Sequence, residues 1–165
     1  MLFKMKDLKK QITFGKPDIG KEEINAVRNV ISSKWIGTGP VANKFEREFK
    51  KYKKANYALG VNSCTSALHI SLITLGVGKG DEVLTTPMTF SSTINSIIHA
   101  GAKPVLIDID PNTFNIDPEL IEKKITKKTK AIIIVHLGGL SCEMDKILTI
   151  TKKYNLFLIE DCAHA

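Results

Sequence analysis

Residues 130–161, KAIIIVHLGGLSCEMDKILTITKKYNLFLIED, decide the fold. Two short apolar runs, AIIIV and LFLI, enclose a segment in which apolar residues recur at helical spacing. Strands that are apolar on both faces are typical of a parallel sheet covered by helices, because such a sheet has no face in contact with water. The stretch predicts a strand at Lys130–His136, a helix at Glu143–Lys153 and a strand at Leu156–Ile159.

The same alternation of short strands and helices extends toward the N-terminus. The other predicted strands are Tyr57–Val61, Glu82–Thr85 and Lys103–Ile107. The other predicted helices are 21–32, 40–53, Thr65–Leu75, about Ser91–Ala100 and Asp117–Lys124. A regular βαβα order of this kind predicts an α/β fold with three layers, in which a mostly parallel sheet carries helices on both faces.

The composition is that of one globular domain. The chain has 165 residues, of which 43% are apolar and 25% charged, and no apolar run approaches the roughly 20 residues that a membrane span needs. The composition therefore predicts an ordered chain and excludes a membrane span. Three cysteines at irregular spacing match neither a disulfide framework nor a zinc pattern, and no secretory signal is recognisable, so we expect a reducing cytoplasm.

The net charge of +7 lies entirely in the first third of the chain. Residues 1–60 hold 14 Lys and Arg against 6 Asp and Glu, whereas residues 61–165 hold 10 against 11. No nucleic-acid recognition motif accompanies this charge, so a solvated or partner-facing surface is the better interpretation, and we expect no nucleic acid as a partner.

In open α/β sheets, ligands bind at the carboxyl ends of the strands, and the loops there contain the candidate site residues. The run Asn62-Ser63-Cys64-Thr65-Ser66 begins a helix, where free N–H groups, hydroxyls and the helix dipole can bind an anion such as phosphate. Simple N-capping by Ser63 or Thr65 is the alternative. Phe90 follows a strand end in a polar setting, where it can be a stacking platform or part of the core.

Acidic residues follow two of the predicted strands. Asp161 comes after LFLI, and an acid at such a place needs a cationic partner, of which a protonated pyridine nitrogen is one candidate. His164 could contact the same ligand or be structural. Asp108 and Asp110 have the DxD form of a metal site in glycosyltransferases, but acids also commonly begin turns. The remaining histidines, His69, His99 and His136, are interpreted as structural.

Five segments stand in the order and at the spacing of one enzyme family: SKWIGTGPVANKFEREF, LGVNSCTSALHISL, GKGDEVLTTPMTFSSTINSI, AGAKPVLIDIDPNTFNIDPELIEKKITKKTKAIIIVHLGG and LIEDCAHA. Together they cover nearly the whole chain. On these motifs the sequence resembles the DegT/StrS family of sugar aminotransferases, within the fold-type I pyridoxal phosphate enzymes. It departs from that pattern at Cys64, where many members have Gly, and at Gly139, where many have an aromatic residue.

The resemblance implies a cofactor, pyridoxal 5'-phosphate, and residues that bind it. Thr65 and Ser66 would bind its phosphate, and Phe90 would stack on its pyridine ring. Asp161 would pair with the ring nitrogen and keep it protonated, so that the ring can accept electrons. His164 would contact the phenolic oxygen. No metal belongs to this set, which weakens the DxD interpretation.

The resemblance also implies a substrate class and partners. Family members transfer an amino group from a glutamate-type donor to a keto group of a nucleotide-activated sugar, and Thr38 would lie near that sugar. An intact relative would be a homodimer. Two alternatives stay open, namely a non-catalytic remnant or partner-binding fragment and, less favoured, a metal-dependent glycosyltransferase.

Finally, the resemblance implies an incomplete pyridoxal phosphate-transferase large domain. Residues 1–53 would be an N-terminal arm and two helices, and residues 54–165 the βα repeats of the sheet. The Schiff-base lysine and the small C-terminal domain of the family would lie beyond Ala165, so no catalytic residue is assigned within this sequence. A chain without that lysine lacks the covalent anchor and the general base, and we expect it to be inactive alone.

Overall fold

The computed structural model describes residues 15–165, so the predicted N-terminal arm lies, up to residue 14, outside the described residues. The chain forms two compact units, one ending at Gly60 and one from Val61 to Ala165. Among residues 15–165, no helix is both long and apolar enough to cross a membrane.

The first unit contains the two predicted amphipathic helices, α1 (Lys21–Ser32) and α2 (Pro40–Lys53). The carboxylate of Glu23 accepts the N–H of Gly20 at 2.7 Å, which fixes the start of α1. Pro40 is the first residue of α2, where a missing N–H leaves no hydrogen bond unmade. Apolar side chains of both helices remain exposed: Ile24, Val27, Ile31, Val41, Phe45 and Phe49. Neither helix contains a buried residue.

The turn between α1 and α2 is held by a tryptophan. Trp35 donates its indole N–H to the carbonyl of Thr38 at 2.9 Å. The indole ring then lies so close to Gly39 that a Cβ atom at this position would overlap it. Position 39 therefore requires glycine, because the indole ring of Trp35 leaves no room for a side chain. This contact fixes the path of the chain into α2.

The second unit is a parallel four-stranded sheet with helices on both faces. In chain order its elements are α3 (Cys64–Thr74), β1 (Glu82–Thr85), α4 (Ser91–His99), β2 (Lys103–Leu106), α5 (Pro118–Ile121), a 3₁₀ turn (Glu122–Lys124), β3 (Thr129–Val135), a second 3₁₀ turn (Leu137–Gly139), α6 (Met144–Tyr154) and β4 (Phe157–Asp161). The strand order is β2-β1-β3-β4, and every neighbouring pair is parallel.

Two apolar clusters form the core, one on each face of the sheet. The first lies under α3 and α4 and contains Leu68, Leu72, Val77, Val83, Ile97, Ala100, Ala102, Ala131 and Ile133. The second lies under α5 and α6 and contains Leu84, Ile107, Ile116, Ile121, Ile132, Ile134, Cys142, Ile147 and Ile150. Successive residues of β1 and β3 alternate between the two clusters, as the period of two in a strand requires. The predicted three-layer α/β fold is confirmed.

One predicted element is wrong. Tyr57–Val61 alternates apolar and small residues as a strand does, but the structure has an irregular chain there, with Tyr57 and Leu59 exposed. A strand needs a neighbour's N–H and C=O groups, and no strand in the described part of the chain pairs with these residues. The N–H of Gly60 instead donates to the carboxylate of Glu46 at 2.8 Å.

The other predicted elements match within one or two residues, except that α5 passes into a 3₁₀ turn. One of these small differences matters for the site. The last strand was expected to end at Ile159, but β4 continues to Asp161, so this acid is the final residue of a strand and belongs to the sheet.

The core assignment predicts a difference in stability between two isoleucines. Ile132 is fully buried in the middle of β3, whereas Ile24 on α1 is 62% exposed. We expect Ile132→Ala to lower the free energy of unfolding by about 2–5 kcal/mol, because it leaves a cavity in a packed layer. Ile24→Ala, the control, should change it by less than ~0.5 kcal/mol. Urea unfolding followed by circular dichroism measures both, and similar losses would contradict the assignment.

Candidate functional site

The candidate site is built around the carboxylate of Asp161, which is only 4% exposed at the end of β4. Thr93, in the first turn of α4, donates its hydroxyl to Oδ2 at 2.8 Å. Cys64, the first residue of α3, donates its thiol to Oδ1 at 3.5 Å. The backbone N–H of Ala163 donates to the same Oδ1 at 3.1 Å. One acid therefore joins the N-terminal turns of two helices to the end of the sheet.

A fourth residue extends this network. The hydroxyls of Thr89 and Thr93 lie 2.7 Å apart. Because Thr93 has one hydroxyl proton and donates it to the carboxylate, Thr89 must be the donor in this pair. The hydrogen bonds thus run in one direction, from Thr89 through Thr93 to Asp161.

The partners of Asp161 differ in kind from those that the sequence suggested. A buried acid was expected to need a cation, but no Lys or Arg of residues 15–165 forms an ion pair with it. Neutral O–H, S–H and N–H donors satisfy its oxygens instead. Such donors offset part of the desolvation of a carboxylate without cancelling its charge. The arrangement therefore fits a cationic group of a ligand.

The start of α3 shows one of the two roles that the sequence left open, the helix cap, and leaves groups that could serve the other, anion binding. Ser63 caps the helix by accepting the N–H of Ser66 at 3.1 Å, and it donates its own hydroxyl to that of Ser66 at 2.9 Å. Ser66 in turn donates to the side chain of Asn62 at 2.9 Å. The N–H groups of Cys64 and Thr65 have no acceptor among residues 15–165, and Thr65 is exposed. These groups remain available to an anion at the positive end of the helix dipole.

Phe90 stands at the N-cap position of α4 with its ring 74% exposed. Its carbonyl accepts the N–H of Thr93 at 3.1 Å, and Thr93 is bonded to Asp161. The aromatic ring therefore lies one helical turn from the residue that holds the acid. An exposed phenyl ring at the carboxyl end of a strand offers a flat apolar surface for stacking, and the core interpretation does not apply.

His164 and Thr38 complete the predicted set. His164 is exposed, three residues after Asp161, and its backbone carbonyl lies 3.0 Å from where a Cβ on Gly139 would be. Gly139 also has a φ of +87°, so a side chain at this position is excluded by both strain and space. Thr38 belongs to the first unit, and its nearness to a sugar stays a prediction.

A second acid, Glu160, points to a different partner. His136 is buried and accepts the N–H of Cys142 on Nδ1 at 3.1 Å, so its proton is on Nε2, which donates to Glu160 at 2.9 Å. The ligand atoms of His136, Glu160 and Cys162 all lie within 4.8 Å of one another. A metal on Nε2 would need Nδ1 to carry the proton, and that proton would then face the N–H of Cys142. The geometry supports a hydrogen-bonded pair rather than a metal centre.

The two acids of the DxD sequence stabilise a turn. Asp110 accepts the N–H groups of Asn112 at 2.7 Å and Thr113 at 3.2 Å, and these bonds hold the pKa of Asp110 below its usual range. Asp108 accepts the N–H of Ile109 at 2.9 Å. The acids therefore act as turn residues here, which is the alternative that the sequence analysis favoured.

Sequence reasoning missed the two side chains that hold Asp161. Thr93 carried a detectable signal, because it lies on the buried face of α4 with Ser96 and Ile97, and a polar residue on such a face needs a partner. Cys64 carried none beyond its departure from the family pattern.

The geometry defines a class of protein. A parallel α/β sheet brings a helix start suited to phosphate, an exposed aromatic ring and a buried acid to its carboxyl edge, which suits a phosphorylated ring cofactor with a cationic nitrogen. Comparison with known proteins then identifies the family: the chain belongs to the DegT/DnrJ/EryC1/StrS aminotransferase family, whose model matches residues 17–165.

Relatives support this membership over about nine tenths of the chain. The spore coat polysaccharide biosynthesis protein SpsC of Bacillus subtilis (strain 168) is 51% identical over 154 residues, which are 93% of this chain and 40% of SpsC. An aminotransferase from Psychrobacter cryohalolentis has a similar structure, with 42% identity and a TM-score of 0.86, over 90% of this chain and 38% of its own. The chain thus spans about 40% of the length of these relatives.

The cofactor of the family follows from a further structure. The putative sugar aminotransferase Spr1654 of Streptococcus pneumoniae, in its PLP form, is 40% identical with a TM-score of 0.83, over 89% of this chain and 38% of its own. The same protein is known in a PMP form. The family uses pyridoxal phosphate, as the resemblance implied.

The hydrogen bond from Thr93 predicts a specific loss of stability. Thr93→Val keeps the shape of the side chain and leaves one oxygen of a buried carboxylate without its donor, so we expect the free energy of unfolding to fall by about 1–3 kcal/mol. Thr149→Val on α6 removes an exposed hydroxyl and should cost less than ~0.5 kcal/mol. Urea unfolding compares the two variants, and an equal, small effect would show that the bond from Thr93 contributes nothing.

Proposed function

We propose that this chain is the cofactor-binding part of an aminotransferase that acts on nucleotide-activated keto-sugars with a glutamate-type amino donor. Membership of a family of sugar aminotransferases supports the reaction class. The observation that carries the proposal is the buried carboxylate of Asp161, held by donors from α3 and α4 and lacking a cation among the described residues.

The residues around Asp161 fit the cofactor, and each has a proposed role. Pyridoxal phosphate, when bound, supplies a protonated ring that accepts electrons from the substrate. Asp161 holds the proton on the ring nitrogen. The free N–H groups of Cys64 and Thr65, with the Thr65 hydroxyl, bind the phosphate. Phe90 provides a flat apolar face and excludes water from one side of the ring.

Three further predicted contacts belong to the proposal. Ser66 contributes to the phosphate site once its hydroxyl turns away from Asn62, since both of its donors serve the helix cap in this structure. His164 reaches the phenolic oxygen of the cofactor. Thr38 contacts the sugar.

The described residues bind and orient, and they do not include a group assigned to move the substrate proton. We propose that amino transfer requires a further segment such as the longer relatives possess, that the chain is inactive alone, and that the intact protein is a homodimer. The odd number and irregular spacing of the three cysteines support a cytoplasmic location.

Pyridoxamine phosphate tests the cofactor site without any covalent link. We expect residues 1–165 to bind it and Asp161→Asn to weaken binding by about tenfold or more, because the charge opposite the ring nitrogen is lost. Asp145→Asn, which removes an exposed acid of α6, is the matched control and should bind as the wild type does. Isothermal titration calorimetry measures the affinities. No binding at millimolar concentration, or equal affinities, would contradict the cofactor site.

A second candidate function, a partner-binding fragment, is favoured by one observation. The apolar faces of α1 and α2 are exposed, and Phe45 and Phe49 form a ring pair with centroids 5.8 Å apart on the surface of α2. Exposed apolar patches of this kind mark interaction sites.

Sedimentation analysis separates this candidate from a purely monomeric fragment. If the face of α2 binds another protein surface, we expect the wild type to self-associate at micromolar concentration and Phe45→Ser/Phe49→Ser to be monomeric. Lys50→Ser/Lys51→Ser, a change of two charged side chains on the same helix, is the control for altered solubility. A monomeric wild type would argue against self-association through the apolar face of α2.

A further inference from the structure

The two oxygens of Asp161 are not equivalent. Oδ1 accepts two hydrogen bonds, from the thiol of Cys64 at 3.5 Å and from the N–H of Ala163 at 3.1 Å. Oδ2 accepts one, from the hydroxyl of Thr93 at 2.8 Å. Each carboxylate oxygen offers about two acceptor sites, so Oδ1 is filled and Oδ2 keeps one site free.

The state of the Cys64 thiol decides whether it can act as a donor. Its pKa is raised to about 11, first by partial burial against the sheet and then by the negative charge of Asp161. At neutral pH the sulfur therefore carries its proton.

We propose that Cys64 is a positioning residue for the acid of the cofactor site. Its S–H, together with the N–H of Ala163, occupies Oδ1 of Asp161 and leaves Oδ2 as the oxygen that accepts the protonated ring nitrogen. This inference rests on the proposed function, because it assigns a role toward pyridoxal phosphate.

The physical consequence concerns the ring nitrogen. A donor on a carboxylate stabilises the negative charge, and so favours the pair of carboxylate and protonated nitrogen over the neutral pair of acid and free nitrogen. Removing the S–H shifts that balance toward the neutral pair. A thiol is a weak donor, so the effect is modest, on the order of threefold in the ratio of the two pairs.

The first measurement uses pyridoxamine phosphate labelled with ¹⁵N in the ring, bound to residues 1–165. The chemical shift of the nitrogen at neutral pH reports how the shared proton is divided between the nitrogen and Asp161. We expect Cys64→Ala to shift this ratio about threefold toward the unprotonated nitrogen and Cys64→Ser, which retains a donor, to move it back toward the wild-type value. Cys142→Ala is the matched control, because this buried thiol donates to the carbonyl of Val135 and not to the acid.

The second measurement tests the hydrogen bond without any cofactor. In a Cys142→Ala/Cys162→Ala background, the pH dependence of alkylation by iodoacetamide reports the thiol of Cys64 alone. We expect a pKa near 11 that falls in Asp161→Asn, because the charge of Asp161 is removed while the partial burial that also raises the pKa remains. A thiol pKa that does not respond to Asp161→Asn would overturn the proposed contact.

The two proposals fail in different ways. If the wild type does not bind pyridoxamine phosphate, the cofactor site fails and the role of Cys64 falls with it. If pyridoxamine phosphate binds and the ring nitrogen has the same chemical shift in the wild type and in Cys64→Ala, the positioning role alone is overturned.

Discussion

The position of one buried carboxylate determines what the carboxyl edge of this sheet can do. Asp161 is paired in register with Val135 of β3, and its side chain points to the face that α3 and α4 cover. A slip of one residue in the pairing of β4 would turn the acid to the opposite face, because side chains alternate along a strand. The packed interior of β3 and β4 thus fixes the register, and the register positions the acid.

Two adjacent acids in β4 are separated by the same alternation. Asp161 accepts bonds from the first turns of two helices, while Glu160 accepts the Nε2 proton of His136. The fixed tautomer of that histidine gives Glu160 a donor of its own. His136 therefore hydrogen-bonds the carboxylate of Glu160, and Asp161 is the acid that faces the N-termini of α3 and α4.

The architecture could be predicted from the sequence to a large extent, and the physical reason is periodicity. Runs such as AIIIV can be buried only when both faces are covered, so a parallel three-layer fold follows from the pattern alone. The carboxyl-edge rule then identifies the loops that carry Phe90 and Asp161. The loop of Thr65 was selected by the same rule, but it follows a predicted strand that the described residues do not form. The family resemblance adds the cofactor, which no pattern of burial could have supplied.

The partners of the acid could not be predicted in the same way. Thr93 is 68 residues and Cys64 is 97 residues from Asp161 along the chain, and such contacts depend on how the layers pack. The strand predicted at Tyr57–Val61 is absent for a related reason. Alternation of apolar and small residues indicates a preference for an extended chain, whereas a strand also needs a neighbouring strand with which to pair. The exposed faces of α1 and α2 also could not be predicted, because amphipathic spacing identifies the apolar face of a helix but not the surface that covers it.

The close approach of His164 to Gly139 also restricts how this sequence can evolve. The carbonyl after the site acid occupies the space that any side chain at position 139 would need, and the backbone there has a positive φ. A mutation to a larger residue at 139 is therefore tolerated only after the turn at 163–165 has moved. We expect Gly139 to be replaced only in sequences in which the turn at 163–165 already differs.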